Sequence, residues 1–167
     1  MKSRTNSIVT IITALVVGLA AGSCAPTFPK QELEKVDRSI LFPDLQKDPE
    51  RYKGKWILLG GMIVETRNTP EGTVIEMLQK PLDSRERPLS DDTTDGRFLA
   101  VSDRFLDPAV YHKGRELTLI AEVIGRKVMP LGELEYQYPL VLSKDLRLWE
   151  PSSGPRFFFG IGVSRRI

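Results

Sequence analysis

Apolar and polar residues alternate along this chain in a pattern that changes character twice. Residues 8–21 form an apolar run broken only by Thr10, Thr13 and Gly18, preceded by Lys2 and Arg4 without an acid and followed by small residues. That is the three-part layout of a secretory signal helix. As a helix the run is about 21 Å long, short of the roughly 30 Å hydrocarbon core of a bilayer. Residues 24–32, with Pro26 and Pro29 and no apolar period, predict an extended, flexible tether. Beyond it the period becomes that of strands. Candidate strands lie at 56–64, 73–79, 97–102, 117–124 and 140–149, each bounded by Gly, Pro or Asp clusters. The segment Asn68-Thr69-Pro70-Glu71-Gly72 predicts a hairpin turn and Pro130-Leu131-Gly132 a second reversal, while 81–96 reads as a polar loop. Gly60-Gly61 inside the first strand suggests a bulge or sharp bend.

Two of these strands are introduced by the same local pattern. Asp48-Pro49, Tyr52 and Gly54 precede the first, and Asp107-Pro108, Tyr111 and Gly114 precede the fourth. Asp suits an N-cap, Pro the first helical position, and Gly the left-handed exit after one turn. Each copy predicts a short helical corner with its Tyr tucked beneath. The sum is a mainly β fold of five or six antiparallel strands with one or two short helices. A small closed or partly closed barrel fits, an OB-like one among the possible forms, with a β-sandwich as the alternative. The predicted organisation is a signal peptide over 1–23, a tether over 24–32, a barrel domain over 33–150 and an aromatic, basic tail over 151–167. The tail carries Phe157-Phe158-Phe159, readable as an added edge strand or as a sticky segment for a partner or membrane surface.

With 167 residues, 41% hydrophobic and 28% charged, the chain suits one globular domain. Charge changes the picture once the leader is set aside. Lys2 and Arg4 fall within it, which leaves 22 cations of the 24 against 22 acids. The mature chain is then near neutral, and the pI of 8.7 is no argument for nucleic acid.

Cys24 is the one cysteine, so no intrachain disulfide or multi-cysteine metal site can form. It follows Ala21-Gly22-Ser23, which resembles a bacterial lipobox with Ala in place of the usual Leu. The resemblance implies diacylglyceryl transfer to the Cys24 sulfur, cleavage after Ser23 and acylation, for example by palmitate, of the new amino group. The competing reading is an unlipidated leader cut near Ala20 to Gly22. Asp after a lipobox cysteine favours the inner membrane; Ala25 stands here, which points to the outer membrane.

Candidate chemistry elsewhere is sparse. His112 is the one histidine, beside Lys113 and without a nucleophile motif, and reads as a surface residue. One histidine and one committed cysteine fall short of a zinc set. Asp91, Asp92 and Asp95 with Gly96 have the composition of a calcium loop but not its ligand spacing, which predicts a solvated loop. There is no Walker loop, dinucleotide fingerprint or nucleophile elbow, so no cofactor is expected.

Cys24, the Asp48-Pro49, Tyr52, Gly54-Lys55 corner, Gly60-Gly61-Met62-Ile63, Pro81-Leu82-Asp83, Gly96-Arg97-Phe98, Phe105-Leu106-Asp107-Pro108 with Tyr111, and Leu148-Trp149 follow one another in an order that resembles the Slp family of outer-membrane lipoproteins. The resemblance runs from about Leu45 to Glu150. It implies a lipid-anchored protein of the outer membrane, facing the periplasm, in a family associated with starvation and stationary phase. Two functional readings follow: a non-catalytic binding or structural module for an envelope protein or polymer, engaged through the 81–96 loop or the tail, and an envelope hydrolase of peptidoglycan or glycan using loop carboxylates such as Asp91 and Asp92.

Overall fold

The computed structural model describes residues 27–151. Cys24, the signal segment and residues 152–167 lie outside them. Five strands make up the fold: β1 (Trp56–Thr69), β2 (Gly72–Lys80), β3 (Arg97–Ser102), β4 (Glu116–Leu131) and β5 (Leu134–Leu148). They close into a barrel in the order β1-β2-β3-β5-β4, a five-stranded barrel of the OB type. The sandwich alternative is set aside.

One junction departs from the antiparallel expectation. β3 and β5 run parallel, with Leu99 opposite Leu140 and Val101 opposite Leu142. The cause is arithmetic rather than local chemistry, because directions can alternate around a closed ring only if the number of strands is even.

Period-two alternation sends one side of each strand inward. Ile57, Leu59 and Ile63 of β1, Ile75 and Met77 of β2, Phe98 and Ala100 of β3, Leu117, Leu119, Ala121 and Val123 of β4 and Val141 of β5 fill the barrel. Among the described residues two short α-helices lie outside the strands, α1 (Lys30–Leu33) and α2 (Phe42–Lys47). The second supplies Phe42 and Leu45 to the same core, with the Phe42 ring tilted against Phe98 at 5.9 Å between centroids. Gln46 Nε2 donates to the Gln137 carbonyl at 2.6 Å and ties α2 to β5.

Several elements differ from the sequence reading. β4 and β5 run well past the predicted 117–124 and 140–149, as a hairpin paired from Val123 and Val141 out to Leu131 and Leu134. Its outer arms are largely exposed, so nothing there imposes an apolar period that the sequence could display. The first corner is a 3₁₀ turn over Pro49–Tyr52, yet Asp48 makes no side-chain capping bond. The second is a set of turns without a helix, although Asp107 Oδ1 does accept the Ala109 amide at 2.8 Å. The extended tether of 24–32 is corrected from Thr27 onward. Phe28 is fully buried and Lys30–Leu33 is helical, because the aromatic side chain gains more by packing on the barrel than by remaining solvated. The bulge lies between Ile63 and Glu65 rather than at Gly60-Gly61. These glycines answer a different need, close approach. A Cβ at Gly60 would run into the Leu82 side chain, with Pro88 Cγ 3.2 Å away, and one at Gly61 would meet the Leu78 carbonyl oxygen.

Candidate functional site

The outward face of β2 and β3 is where OB-type barrels usually hold an oligomeric ligand. Here it carries its own plug. Since Ile75, Met77, Phe98 and Ala100 point inward, Glu76, Arg97 and Leu99 point outward, and Glu76 is only 8% exposed and Leu99 fully buried. Arg97 Nη1 donates to Glu76 Oε1 at 2.6 Å, and the buried Tyr138 hydroxyl from β5 reaches the same oxygen at 3.3 Å. Tyr136 stands edge-on to Tyr138 at 4.7 Å, and its hydroxyl accepts the Arg97 amide at 2.9 Å. The charged groups thus satisfy one another, as burial requires. The cluster binds the parallel β3–β5 seam to β2, and its carboxylate is engaged rather than offered to a substrate.

Burial and then the Glu76 charge hold the Tyr138 phenol above the ordinary tyrosine range. A raised folded-state value means that its stabilising contribution is whole below the unfolded value near 10 and is lost as pH climbs through the raised one. Ultraviolet titration should therefore contain a late-ionising component that Tyr138→Phe removes, with the fall in stability above about pH 10 blunted in that variant. Persistence of a late component of the same size in Tyr138→Phe would contradict this.

The 81–96 loop is divided. Leu82 and Pro88 form a bridge and lie against Gly60, and the Glu86 carbonyl accepts from Thr118 Oγ1 at 2.7 Å, so the first part packs on the outside of β1 and β4. Residues 89–95 are exposed. Asp91 Oδ1 accepts the Thr93 amide at 3.1 Å, and the Asp95 amide donates to Gln79 Oε1 at 3.0 Å. No group of three His, Cys, Asp or Glu side chains among the described residues is placed to hold a metal. His112 is exposed, with Nδ1 2.9 Å from the Lys113 carbonyl oxygen. A recess of about 140 Å³ is lined by Gly114, Arg115, Glu116, Glu150 and Pro151. It is small beside the roughly 300–1,000 Å³ usual for small-molecule sites.

The two corners sit at opposite ends of one ladder. The Gly54 amide donates to the Val123 carbonyl at 2.8 Å and Val123 returns a bond to Lys55 at 2.9 Å; the Gly114 amide donates to Ile63 at 2.9 Å and Ile63 returns one to Arg115 at 2.9 Å. β1 and β4 are antiparallel, so the corners are related by a local pseudo-twofold across that ladder. Both glycines need the left-handed region, with φ of +82° and +88°. Tyr52 and Tyr111 are partly buried against the core from the two sides. Pro49 is buried, whereas Asp48, Asp107 and Pro108 lie on the rim. The sequence reading missed the Glu76, Arg97, Tyr138 cluster. Three residues from three strands leave no local signal, apart from a carboxylate in the middle of the otherwise apolar 74–78 run.

A family model for the Slp family of outer membrane lipoproteins matches residues 21–157. The chain belongs to this family. Its place is accordingly the outer membrane, as a lipoprotein. Among relatives, an uncharacterized protein of Haemophilus influenzae is 32% identical over 85% of this chain and 78% of its own length. Two Escherichia coli proteins are each 27% identical: an uncharacterized lipoprotein YeaY over 75% of this chain, and the outer membrane protein Slp over 64%. The matches span 59% and 60% of those two relatives. A solved structure, the mitochondrial single-stranded DNA binding protein Rim1 of S. cerevisiae, overlays with a TM-score of 0.34 at 12% identity, over 57% of this chain and 95% of that one. A likeness so distant carries no argument about ligand. In this Slp-family member, with the β2–β3 face plugged, the 89–95 segment and the outer arms of the β4–β5 hairpin are among the accessible polar surfaces.

Proposed function

We propose that this Slp-family protein is held at the outer membrane by acyl chains on Cys24, and that its barrel is a non-catalytic binding or structural module of the envelope, facing the periplasm. The observation that carries the second half is the Glu76, Arg97, Tyr138 cluster, which occupies with mutually satisfied groups the face where a barrel of this type would hold a substrate. The exposed 89–95 segment is one surface that can engage an envelope protein or polymer, and residues 151–167, outside the described structure apart from Pro151, are the second segment the sequence offers for it. A paired, plugged face and a near-neutral mature chain speak against nucleic acid.

Mass spectrometry of the N-terminal peptide of the protein purified from membranes should give an acylated Cys24. A free thiol there would refute the anchor. The purified protein is expected to turn over no peptidoglycan or glycan substrate. Turnover lost on Asp91→Asn or Asp92→Asn would instead establish the hydrolase.

A further inference from the structure

The outer half of the β4–β5 hairpin is a two-stranded ribbon whose edges are not alike. β4 pairs with β1 only as far as Glu122, and β5 pairs with β3 only over Leu140–Leu142, so residues 126–131 and 134–139 have each other as ladder partners. The turn between them is Gly132-Glu133, with Gly132 at φ +63°, which makes Leu131 and Leu134 the hydrogen-bonded closing pair of a two-residue hairpin. Parity then runs by twos down the ribbon. Leu131, Met129 and Lys127 turn their backbone groups to β5, while Pro130, Val128 and Arg126 turn theirs outward. Pro130 and its counterpart Pro139, opposite Arg126, both fall in the outward set, where a missing amide costs the ribbon nothing.

The outward edge of β5 is already used, since the Gln137 carbonyl accepts Gln46 Nε2 from α2 at 2.6 Å. The edge of β4 is closed at Gly125, where a Cβ would lie 2.9 Å from Glu50 Oε1. Over 126–130 that edge meets no other strand among the described residues. Arg126, Lys127 and Val128 are exposed there, Val128 at 54%. An open strand edge with an apolar residue at its centre is a template for another strand.

The strand it fits is its own copy. Antiparallel pairing about a twofold axis at Val128 sets Val128 against the second copy's Val128, and Arg126 against the second copy's Pro130. The two valines exchange amide-to-carbonyl bonds, and each Arg126 amide donates to the opposite Pro130 carbonyl. The side chains agree with the backbone. Arg126, Val128, Pro130, Glu135 and Gln137 share one face of the ribbon, on which Arg126 Nη1 donates to Gln137 Oε1 at 2.9 Å. Across the paired edges Arg126 of one copy lies in line with Glu135 of the other, with only Pro130 between. Two strand spacings, about 10 Å, separate their backbones, within the combined reach of these side chains. The twofold makes that ion pair twice. No like charges stand opposite each other, because Lys127 meets Met129.

We propose that the protein dimerises through the outer edge of β4, residues 126–130 of two copies joining their hairpins into one four-stranded sheet. The test uses the full chain purified from membranes in density-matched detergent, with sedimentation equilibrium as the readout. The native protein should be a dimer that dissociates on dilution. Val128→Pro removes an amide that faces away from β5, so it should leave the far-ultraviolet dichroism unchanged and give a monomer. Arg126→Glu and Glu135→Arg should each weaken the dimer about tenfold, and the two together should bring the dissociation constant back to within about threefold of native. A native protein that is monomeric at every concentration, a Val128→Pro variant that dimerises as well as native, or a double variant no tighter than the single ones would overturn the proposal.

Discussion

Cys24→Ser is expected to remove the protein from the outer-membrane fraction and to abolish incorporation of labelled palmitate. The magnitude follows from the chemistry of the anchor. Two palmitate-length chains carry about thirty methylenes, and at about 0.8 kcal/mol each they represent roughly 24 kcal/mol of buried hydrocarbon. No surface contact of a domain this size approaches that figure, so the change should be all-or-none in fractionation. The serine hydroxyl cannot take the place of the thiol in thioether formation, so no partial modification is expected. Labelled palmitate persisting on Cys24→Ser would place the acyl chains elsewhere and defeat the anchor assignment.

Phe98→Ala should cost the barrel about 3–5 kcal/mol, the usual range for truncating a buried aromatic whose site cannot collapse. Phe98 is fully buried, lies on β3 between β2 and β5, and carries the Phe42 ring of α2. β3 is the shortest strand, Arg97–Ser102, and one of its two neighbours is joined to it by the parallel seam. A cavity there loosens both the closure of the barrel and the docking of α2. For a domain of this size the thermal midpoint should drop by about 10–20 °C. Phe105→Ala is the control. That ring is 73% exposed, and its loss should move stability by no more than about 0.5 kcal/mol. Urea midpoints for the two variants decide the matter, and equal shifts would mean that the core is not centred where Phe98 lies.

The resemblance stated from short, ordered fragments and the family match over 21–157 agree, and the reason is visible in where those fragments fall. Gly60 sits beneath the 82–88 loop and Gly61 against the Leu78 backbone, and the segments containing Gly54 and Gly114 form the two bridges of the β1–β4 ladder. Close approach at Gly60 and Gly61, and a left-handed backbone at Gly54 and Gly114, leave little choice of residue at these positions. The family's order of fragments is therefore an order of constrained backbone positions. Loop and hairpin arms, where choice is wide, are less legible. The β4–β5 hairpin beyond Val123 leaves no mark in the sequence because its exposed arms carry no apolar period. Phe28 reads as tether because a lone aromatic between two prolines has no periodic neighbour to declare its burial.

By itself the sequence determined what depends on nearby residues: five strand segments with inward faces set by alternation, and the two corner patterns that end on a left-handed glycine. Tertiary structure alone decided the parallel β3–β5 seam, the plug of Glu76, Arg97 and Tyr138, the docking of α2 under Phe98 and the ties of Thr27 and Glu150 to the loop of Arg85 and Arg87. The division has one physical cause. Propensity, alternation and capping act over a few residues and leave their mark on neighbouring letters, whereas pairings such as Glu76 with Tyr138 join residues 62 apart, whose proximity exists only after the barrel has closed.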